Sequence, residues 1–260
     1  MPGLVDSHAH LQHARFDADR DAVIARAAAA GIERILVPGW DIASSEAALD
    51  LAAVHAGLLD AAVGVHPHDA ARMDEAAWTR LEALASEPDV RAIGEIGLDY
   101  FRDLSPRPAQ REALARQLDL ASRLGLPVLV HDRDAHDDVL AALLAWDGRP
   151  GSTARGALHA FSGDAEMAVQ LAAAGFLVSF AFPVAFGGQR ARGPRAAAAA
   201  VPDDRLLVET DAPYLGPDRD ANNEPVTALR VAAELAVLRG VEPETLVAPI
   251  RDGYRRLVGR

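Results

Sequence analysis

The sequence predicts a (β/α)8 barrel. Eight short runs rich in Val, Ile and Leu recur along the 260 residues, helical stretches lie between them, and glycine stands where several of those stretches should stop. This alternation is what parallel βα units need, because each strand must return through a crossover before the next can lie beside it.

Taken in order, strands are expected over 3–10, 32–38, 60–65, 90–95, 127–131, 156–159, 176–179 and 206–209. Helices are expected over 19–30, 44–56, 74–86, 108–124, 134–145, 164–174, 189–200 and 226–239, with a last one over 243–257. Gly31, Gly57, Gly125 and Gly175 fall just past four of them, where a left-handed residue closes a helix. The segment 180–200 mixes aromatic, glycine and alanine-rich parts, and its alanine run over 196–200 reads as helix because alanine is the best helix former. Neither that segment nor the loop 214–225 has the composition of a linker, so one domain over 1–260 is expected.

Half of the residues are hydrophobic, enough for a full core. No cysteine is present, which removes disulfides, thiolate metal sites and cysteine nucleophiles together. All 26 basic residues are arginine, so a lysine Schiff base and a carboxylated lysine bridging two metals are both excluded. The formal net charge of -12 opposes a broad surface for coating duplex nucleic acid, and any anionic substrate must be attracted locally. No stretch has the pattern of a signal peptide or the length to cross a bilayer. A soluble cytoplasmic protein is expected, with no membrane contact.

Metal-binding residue types cluster at the carboxyl ends of the expected strands. His8 and His10 end the first, His66 follows the third, Glu95 ends the fourth, His131 the fifth and His159 the sixth, and Asp211 follows the eighth. In barrels these ends face one mouth, where active sites lie. His8 and His10 are two apart, so in extended chain both imidazoles project the same way and can chelate one ion. A single strand-end histidine is most often structural, yet six such groups around one point need a cation to balance them.

Six ligands fit two divalent ions better than one, since a tetrahedral site takes three or four. The expected division places His8, His10, Glu95 and Asp211 on one ion and Glu95, His131 and His159 on the other, with Glu95 shared. Nitrogen-rich ligation favours Zn, Mn or Co over Mg, with metal availability deciding between Mg, Mn and Zn. Four cationic charges against two carboxylates make the mouth locally positive, which suits a phosphate ester. Two metals also attack carbonyls, so an amide, lactone or aminoacyl ester hydrolase on the same scaffold is the alternative.

The blocks Asp6-Ser7-His8-Ala9-His10-Leu11, Gly64-Val65-His66-Pro67, Gly94-Glu95-Ile96-Gly97-Leu98-Asp99-Tyr100, His131-Asp132-Arg133-Asp134-Ala135, His159-Ala160-Phe161-Ser162-Gly163 and Glu209-Thr210-Asp211-Ala212-Pro213-Tyr214-Leu215 resemble the TatD family of metal-dependent deoxyribonucleases, in the family's order. The resemblance implies a TIM barrel of the wider amidohydrolase group that hydrolyses DNA phosphodiesters as an exonuclease on single strands or frayed 3′ ends. Nucleic acid is then the substrate, DNA ends first and RNA second, and a monomer needs no protein partner. Two departures stand out: Asn222 occupies a position that is often arginine in the family, and the segment 252–257 lacks the usual asparagine and terminal phenylalanine. Glu95 and Asp211 carry the catalytic roles, Asp211 as ligand and as base toward water. His66 and Arg133 are candidates for a phosphate oxygen, Arg133 having Asp134 or Asp99 as structural alternatives. Tyr100, Phe101 and Tyr214 are placed to stack on unpaired bases, whereas His13, His55, His68 and His136 are read only as solvent-exposed.

Overall fold

A computed structural model describes residues 1–259 apart from 150, 151, 153 and 219. Eight parallel strands follow one another in chain order around a single sheet: β1 (Leu4–Asp6), β2 (Ile32–Pro38), β3 (Leu59–Val63), β4 (Val90–Asp99), β5 (Val128–Arg133), β6 (Gly156–Leu158), β7 (Phe176–Phe180) and β8 (Leu206–Val208). Ser7 N–H donates to Val208 O at 3.0 Å and His10 N–H to Ala212 O at 2.7 Å, so the last strand meets the first and the barrel closes. The fold is the expected (β/α)8 barrel.

The helices α1 (Arg20–Ala29), α2 (Ile42–Val54), α3 (Glu75–Ala85), α4 (Arg107–Leu124), α5 (His136–Ala145), α6 (Ala165–Ala173), α7 (Arg192–Ala200), α8 (Ala228–Arg239) and α9 (Glu244–Val258) fill the connections and the closing segment. Local chemistry sets their ends. Asp41 and Ser44 form a reciprocal capping box at α2, and Asp74 and Asp164 cap α3 and α6 through Ala77 N–H and Met167 N–H; each such cap is worth about 1 kcal/mol. Gly125 ends α4 at φ 66°, as its position predicts.

Strand ends differ from expectation in a way that matters for the site. β1 stops at Asp6 rather than at His10, and the chain continues extended, with Ala9 bridging to Ala212. β4 runs four residues past Glu95, with a register shift between Ile93 and Ile96 that the apolar pattern did not reveal. Gly97, at φ 144°, lies so close to the His131 carbonyl that no Cβ fits between them. The segment 180–200 resolves into two 3-10 turns, Phe182–Ala185 and Gln189–Ala191, before α7 begins at Arg192.

Each strand is buried on both faces, with apolar side chains such as Ile35, Leu36, Ile93 and Val130 filling the space inside the barrel and beneath the helices. At the amino ends of the strands, Asp60 accepts from Arg34 Nε at 2.9 Å and from the Tyr254 hydroxyl of α9 at 2.8 Å. Arg91 Nε stands 3.7 Å from the same carboxylate. A buried acid there is fully matched by cations and a hydroxyl, which closes the floor. Among the described residues, no helix is long and apolar enough to cross a membrane.

Candidate metal centre

The opposite end of the barrel gathers the six predicted ligand residues. Beyond β1, alternation in extended chain turns His8 and His10 to the same side, and their Nε2 atoms lie 3.2 Å apart. Buried Asp6 fixes this stretch by accepting from His8 N–H at 3.2 Å, Thr210 N–H at 3.0 Å and the Thr210 hydroxyl at 2.6 Å, which ties the end of β1 to the end of β8. Glu95 enters from the irregular middle of β4, His131 from β5 and His159 from just past β6. Asp211 and Ala160 hold left-handed backbone, φ 53° and 41°. Side-chain-bearing residues in that region cost of order 1–3 kcal/mol each, and such strain concentrates at functional sites.

Glu95 organises the cluster. Its Oε2 lies 3.3 Å from His8 Nε2 and 3.4 Å from His10 Nε2. Its Oε1 lies 2.9 Å from His131 Nδ1, 2.9 Å from His159 Nε2 and 3.3 Å from His66 Nε2. Asp211 Oδ1 completes the first group at 3.4 Å from His10 Nε2 and 3.8 Å from His8 Nε2. Each oxygen of the central carboxylate therefore faces its own set of imidazoles.

The far side of each ring is held differently. His159 Nδ1 is 3.2 Å from Glu209 Oε1, which also accepts Ala160 N–H at 2.7 Å. His131 Nε2 is 3.4 Å from Asp99 Oδ2, and His68 Nε2 reaches the same oxygen at 2.7 Å. His10 Nδ1 meets only the Pro38 carbonyl, at 3.3 Å, and His8 Nδ1 has no hydrogen-bond partner among the described residues.

Without a cation, protonation must balance these groups. Burial opposes charge on His10, yet hydrogen bonds to Asp211 and Glu95 outweigh it and raise its pKa to about 9. His159 and His131 are raised for the same reason, by Glu95 with Glu209 and by Asp99 with Glu95, against the pull of burial. Burial works against ionisation of Glu95 and Asp211 too, but the surrounding imidazoles hold both acids below the usual carboxylate range. His66 differs: burial lowers it to about 4. Its Nδ1 accepts from His68 N–H at 3.1 Å, so in the neutral ring the proton sits on Nε2. His66 therefore presents an N–H to the site, unlike a metal ligand.

Above the cluster opens a cavity of roughly 920 Å³. Arg133 lines it, with its guanidinium 4.1 Å from the Phe101 ring centroid, and no carboxylate lies within ion-pair reach of it among the described residues. Neither Asp134 nor Asp99 pairs with it. Tyr100 is not brought to the cavity. Its hydroxyl donates to Asp138 at 2.5 Å and its ring lies under Arg107, so it braces the outer wall between α4 and α5. Tyr214 does line the mouth, and its hydroxyl meets His13 Nε2 at 3.0 Å.

Sequence reasoning undervalued several neighbours. His13 and His68 line the cavity, and His136 is paired with Asp132 at 2.8 Å. Trp40, one residue beyond Gly39 and edge-on to His10 at 5.2 Å, also lines it, as do Arg15, Arg102 and Arg190. For Trp40 and the three arginines, their place after strand ends was the available signal, but neither residue type reads as a ligand. Asn222 donates to the Arg15 carbonyl at 3.0 Å, which anchors that loop instead of offering a charge.

The donor set fits divalent cations. His8 Nε2 faces His10 Nε2, and His131 Nδ1 faces His159 Nε2 at 3.0 Å, so like atoms converge where complementary donors and acceptors would otherwise alternate. Inward nitrogen lone pairs around carboxylate oxygens are what a cation requires. A parallel barrel with this cluster at the carboxyl ends of its strands defines a metal-dependent hydrolase of the barrel type.

The chain belongs to the TatD related DNase family, whose sequence model matches residues 5–259. It is 39% identical over 261 residues to the 3′-5′ ssDNA/RNA exonuclease TatD of Cronobacter sakazakii, covering 98% of this chain and 97% of the relative. It is 37% identical over 256 residues to the uncharacterized metal-dependent hydrolase YabD of Bacillus subtilis, covering 98% of each. The crystal structure of YjjV, a TatD homolog from Escherichia coli K12, superposes with a TM-score of 0.90 at 31% identity, covering 99% of this chain and 98% of that one.

Proposed function

We propose that this protein hydrolyses phosphodiester bonds at the ends of nucleic-acid strands, trimming single-stranded DNA from the 3′ end, with RNA as a second substrate. The observation that supports this most strongly is the division at Glu95, whose Oε2 meets His8 and His10 while its Oε1 meets His131 and His159. That division favours two divalent ions with Glu95 shared: His8, His10, Glu95 and Asp211 hold one, and Glu95, His131 and His159 hold the other. Two such ions, when bound, supply the charge that acidifies water and steadies the attacking and leaving oxygens of a phosphoryl transfer. The nitrogen-rich set favours Mn, Zn or Co over Mg.

The protein's own groups supply the rest. Asp211, with a side chain 13% exposed at the cavity floor, takes the proton of the attacking water. His66 directs its Nε2–H at a phosphate oxygen, a role its hydrogen bond from His68 N–H supports. Arg133, with no carboxylate partner among the described residues, pairs with a phosphate of the strand. Residues from one chain furnish the whole site, so a monomer suffices. The cysteine-free chain suits the cytoplasm.

The test uses single-stranded oligonucleotides labelled at the 5′ or 3′ end, with Mn or Mg supplied. The expected result is stepwise loss from the 3′ end, abolished in Glu95→Ala and Asp211→Ala proteins whose circular dichroism is unchanged. Trimming that persists in Glu95→Ala, or a large preference for lactones or amides over phosphodiesters, would overturn the reading.

A further inference from the structure

Asp211 lies in a turn that its backbone alone does not favour. Within the stretch 211–215, Asp211 at φ 53° and Leu215 at φ 51° both hold left-handed backbone, which residues with a Cβ adopt only when their surroundings fix it. A side chain further along the chain does so. Asn223, 3% exposed, donates through Nδ2 to the Thr210 carbonyl and to the Tyr214 carbonyl, each at 2.8 Å. These are the carbonyls immediately before the two left-handed residues. Because φ is measured from the preceding carbonyl carbon, tying those two planar peptide units holds both unusual angles at once. The amide has only one workable orientation: its Oδ1 accepts Glu224 N–H at 3.0 Å, and the two carbonyls can only accept. Gly216 makes the room, since a Cβ there would stand 3.0 Å from Asn223 Cβ.

The residues on either side of Asn223 reach across the seam where the barrel closes. Asn222 Nδ2 donates to the Arg15 carbonyl at 3.0 Å, in the loop that follows His8 and His10. Glu224 accepts from Arg26 Nε and Nη2 of α1 at 2.9 and 2.8 Å, a two-point pair with fixed geometry. Residues 222–224 therefore staple the β8 loop, which carries Asp211, to the β1 loop and α1, which follow the histidine pair. Backbone bonds already join the strands here, from Asp211 N–H to His8 O at 2.9 Å and from His10 N–H to Ala212 O at 2.7 Å. They fix where the chain of Asp211 runs; the staple fixes which way its side chain leaves it.

We infer that Asn223 is a positioning residue that sets the Asp211 carboxylate against His8 and His10, and so sets the affinity of the ion which these three hold with Glu95. Asp211 Oδ1 stands 3.4 Å from His10 Nε2 and 3.8 Å from His8 Nε2 only while the left-handed turn persists. Relaxation of that turn to ordinary backbone swings the carboxylate away from both rings. His131 and His159, on β5 and past β6, belong to other loops and keep their places. This inference rests on the two-ion assignment of the proposed function, not on which bond is hydrolysed.

The test is isothermal titration of Mn into the metal-stripped full chain, with bound ions counted by elemental analysis. Asn223→Ala is expected to weaken one of the two ions by about 10–100-fold, the usual effect of losing a group that orients a ligand. Asn223→Asp should do the same. It keeps the shape and the bond from Glu224 N–H but turns an acceptor toward both carbonyls, and its added negative charge would by itself strengthen cation binding. A double-mutant cycle separates positioning from a merely structural role: in an Asp211→Ala chain, adding Asn223→Ala should change Mn affinity by less than about twofold, because the residue it acts through is gone. Asp60→Ala, weakened at the far end of the barrel, should bind Mn as the parent does. Parent-like Mn affinity in both Asn223 variants, or an Asn223→Ala effect that persists in full in the Asp211→Ala chain, would overturn the inference. A parent that holds a single ion sinks the two-ion assignment but keeps the staple if Asn223→Ala weakens that ion only through Asp211; two ions held at parent affinity by Asn223→Ala do the reverse.

Discussion

The barrel buries a charged cluster at each end, and the two are built on opposite plans. At the floor, Asp60 is surrounded by Arg34, Arg91 and the Tyr254 hydroxyl, so the acid meets cations and a hydroxyl donor within the protein. At the mouth, Glu95 and Asp211 stand among imidazoles whose nitrogens face one another. A closed network stabilises the fold; an open one leaves room for a charge that the chain does not encode. Burial alone does not tell them apart, since Asp60 is 2% exposed and Glu95 3%. What differs is whether donors and acceptors alternate.

The sharpest break of that contrast is at the floor. Asp60→Ala leaves Arg34 buried without its acid, and should cost roughly 3–5 kcal/mol in urea unfolding. The loss should be the same with and without Mn, and any stabilisation by Mn should survive it. A loss that metal repairs would mean that the two ends are not independent.

A smaller effect sharpens the description of the mouth. Glu209 lies behind His159 and keeps its Nε2 aimed at Glu95, so Glu209→Gln should weaken metal binding by about 10–100-fold while the fold persists. Isothermal titration with Mn measures this, and equal affinity in parent and variant would remove Glu209 from the account. The smallest expected effect returns to the floor. Burial, then the negative charge of Asp60, pushes the Tyr254 hydroxyl well above its ordinary value of 10.0. A group whose folded pKa is raised contributes fully below its unfolded pKa and loses that contribution as pH rises through the folded one. Parent stability should therefore fall as pH climbs beyond 10, and Tyr254→Phe should lack that fall while costing roughly 1 kcal/mol at neutral pH for the lost hydrogen bond. An identical alkaline profile in the two proteins would contradict the assignment.

Much of this was legible in the sequence because barrel strands carry a double signal. Both faces of a strand such as β2 or β7 are buried, which gives a continuous apolar run, and polar ligand types after such a run stand out. Reading His8 and His10 as one pair worked because extended backbone continues past β1 even though the ladder ends at Asp6. Glu95 was placed at a strand end and lies instead inside β4, since a register shift leaves no trace in residue type. Tyr100 shows the other limit. It is adjacent to Phe101, yet it turns to Asp138 and Arg107 on the outer wall while Phe101 packs under Arg133, because alternation past a strand end depends on tertiary partners. Asp99, which stands 3.4 Å behind His131 Nε2, and Trp40 and Arg15 on the rim are of types that serve many ordinary roles, so only their spatial company marks them.

The central claim concerns what the mouth is open to. Equilibrium dialysis of the metal-stripped protein against Mn, followed by elemental analysis, measures it directly. The account predicts two ions per chain in the parent, with Glu95→Ala losing both or retaining only weak binding because both sets share that carboxylate. A parent that takes up no ion at saturating Mn, or a Glu95→Ala protein that still holds two, would contradict it.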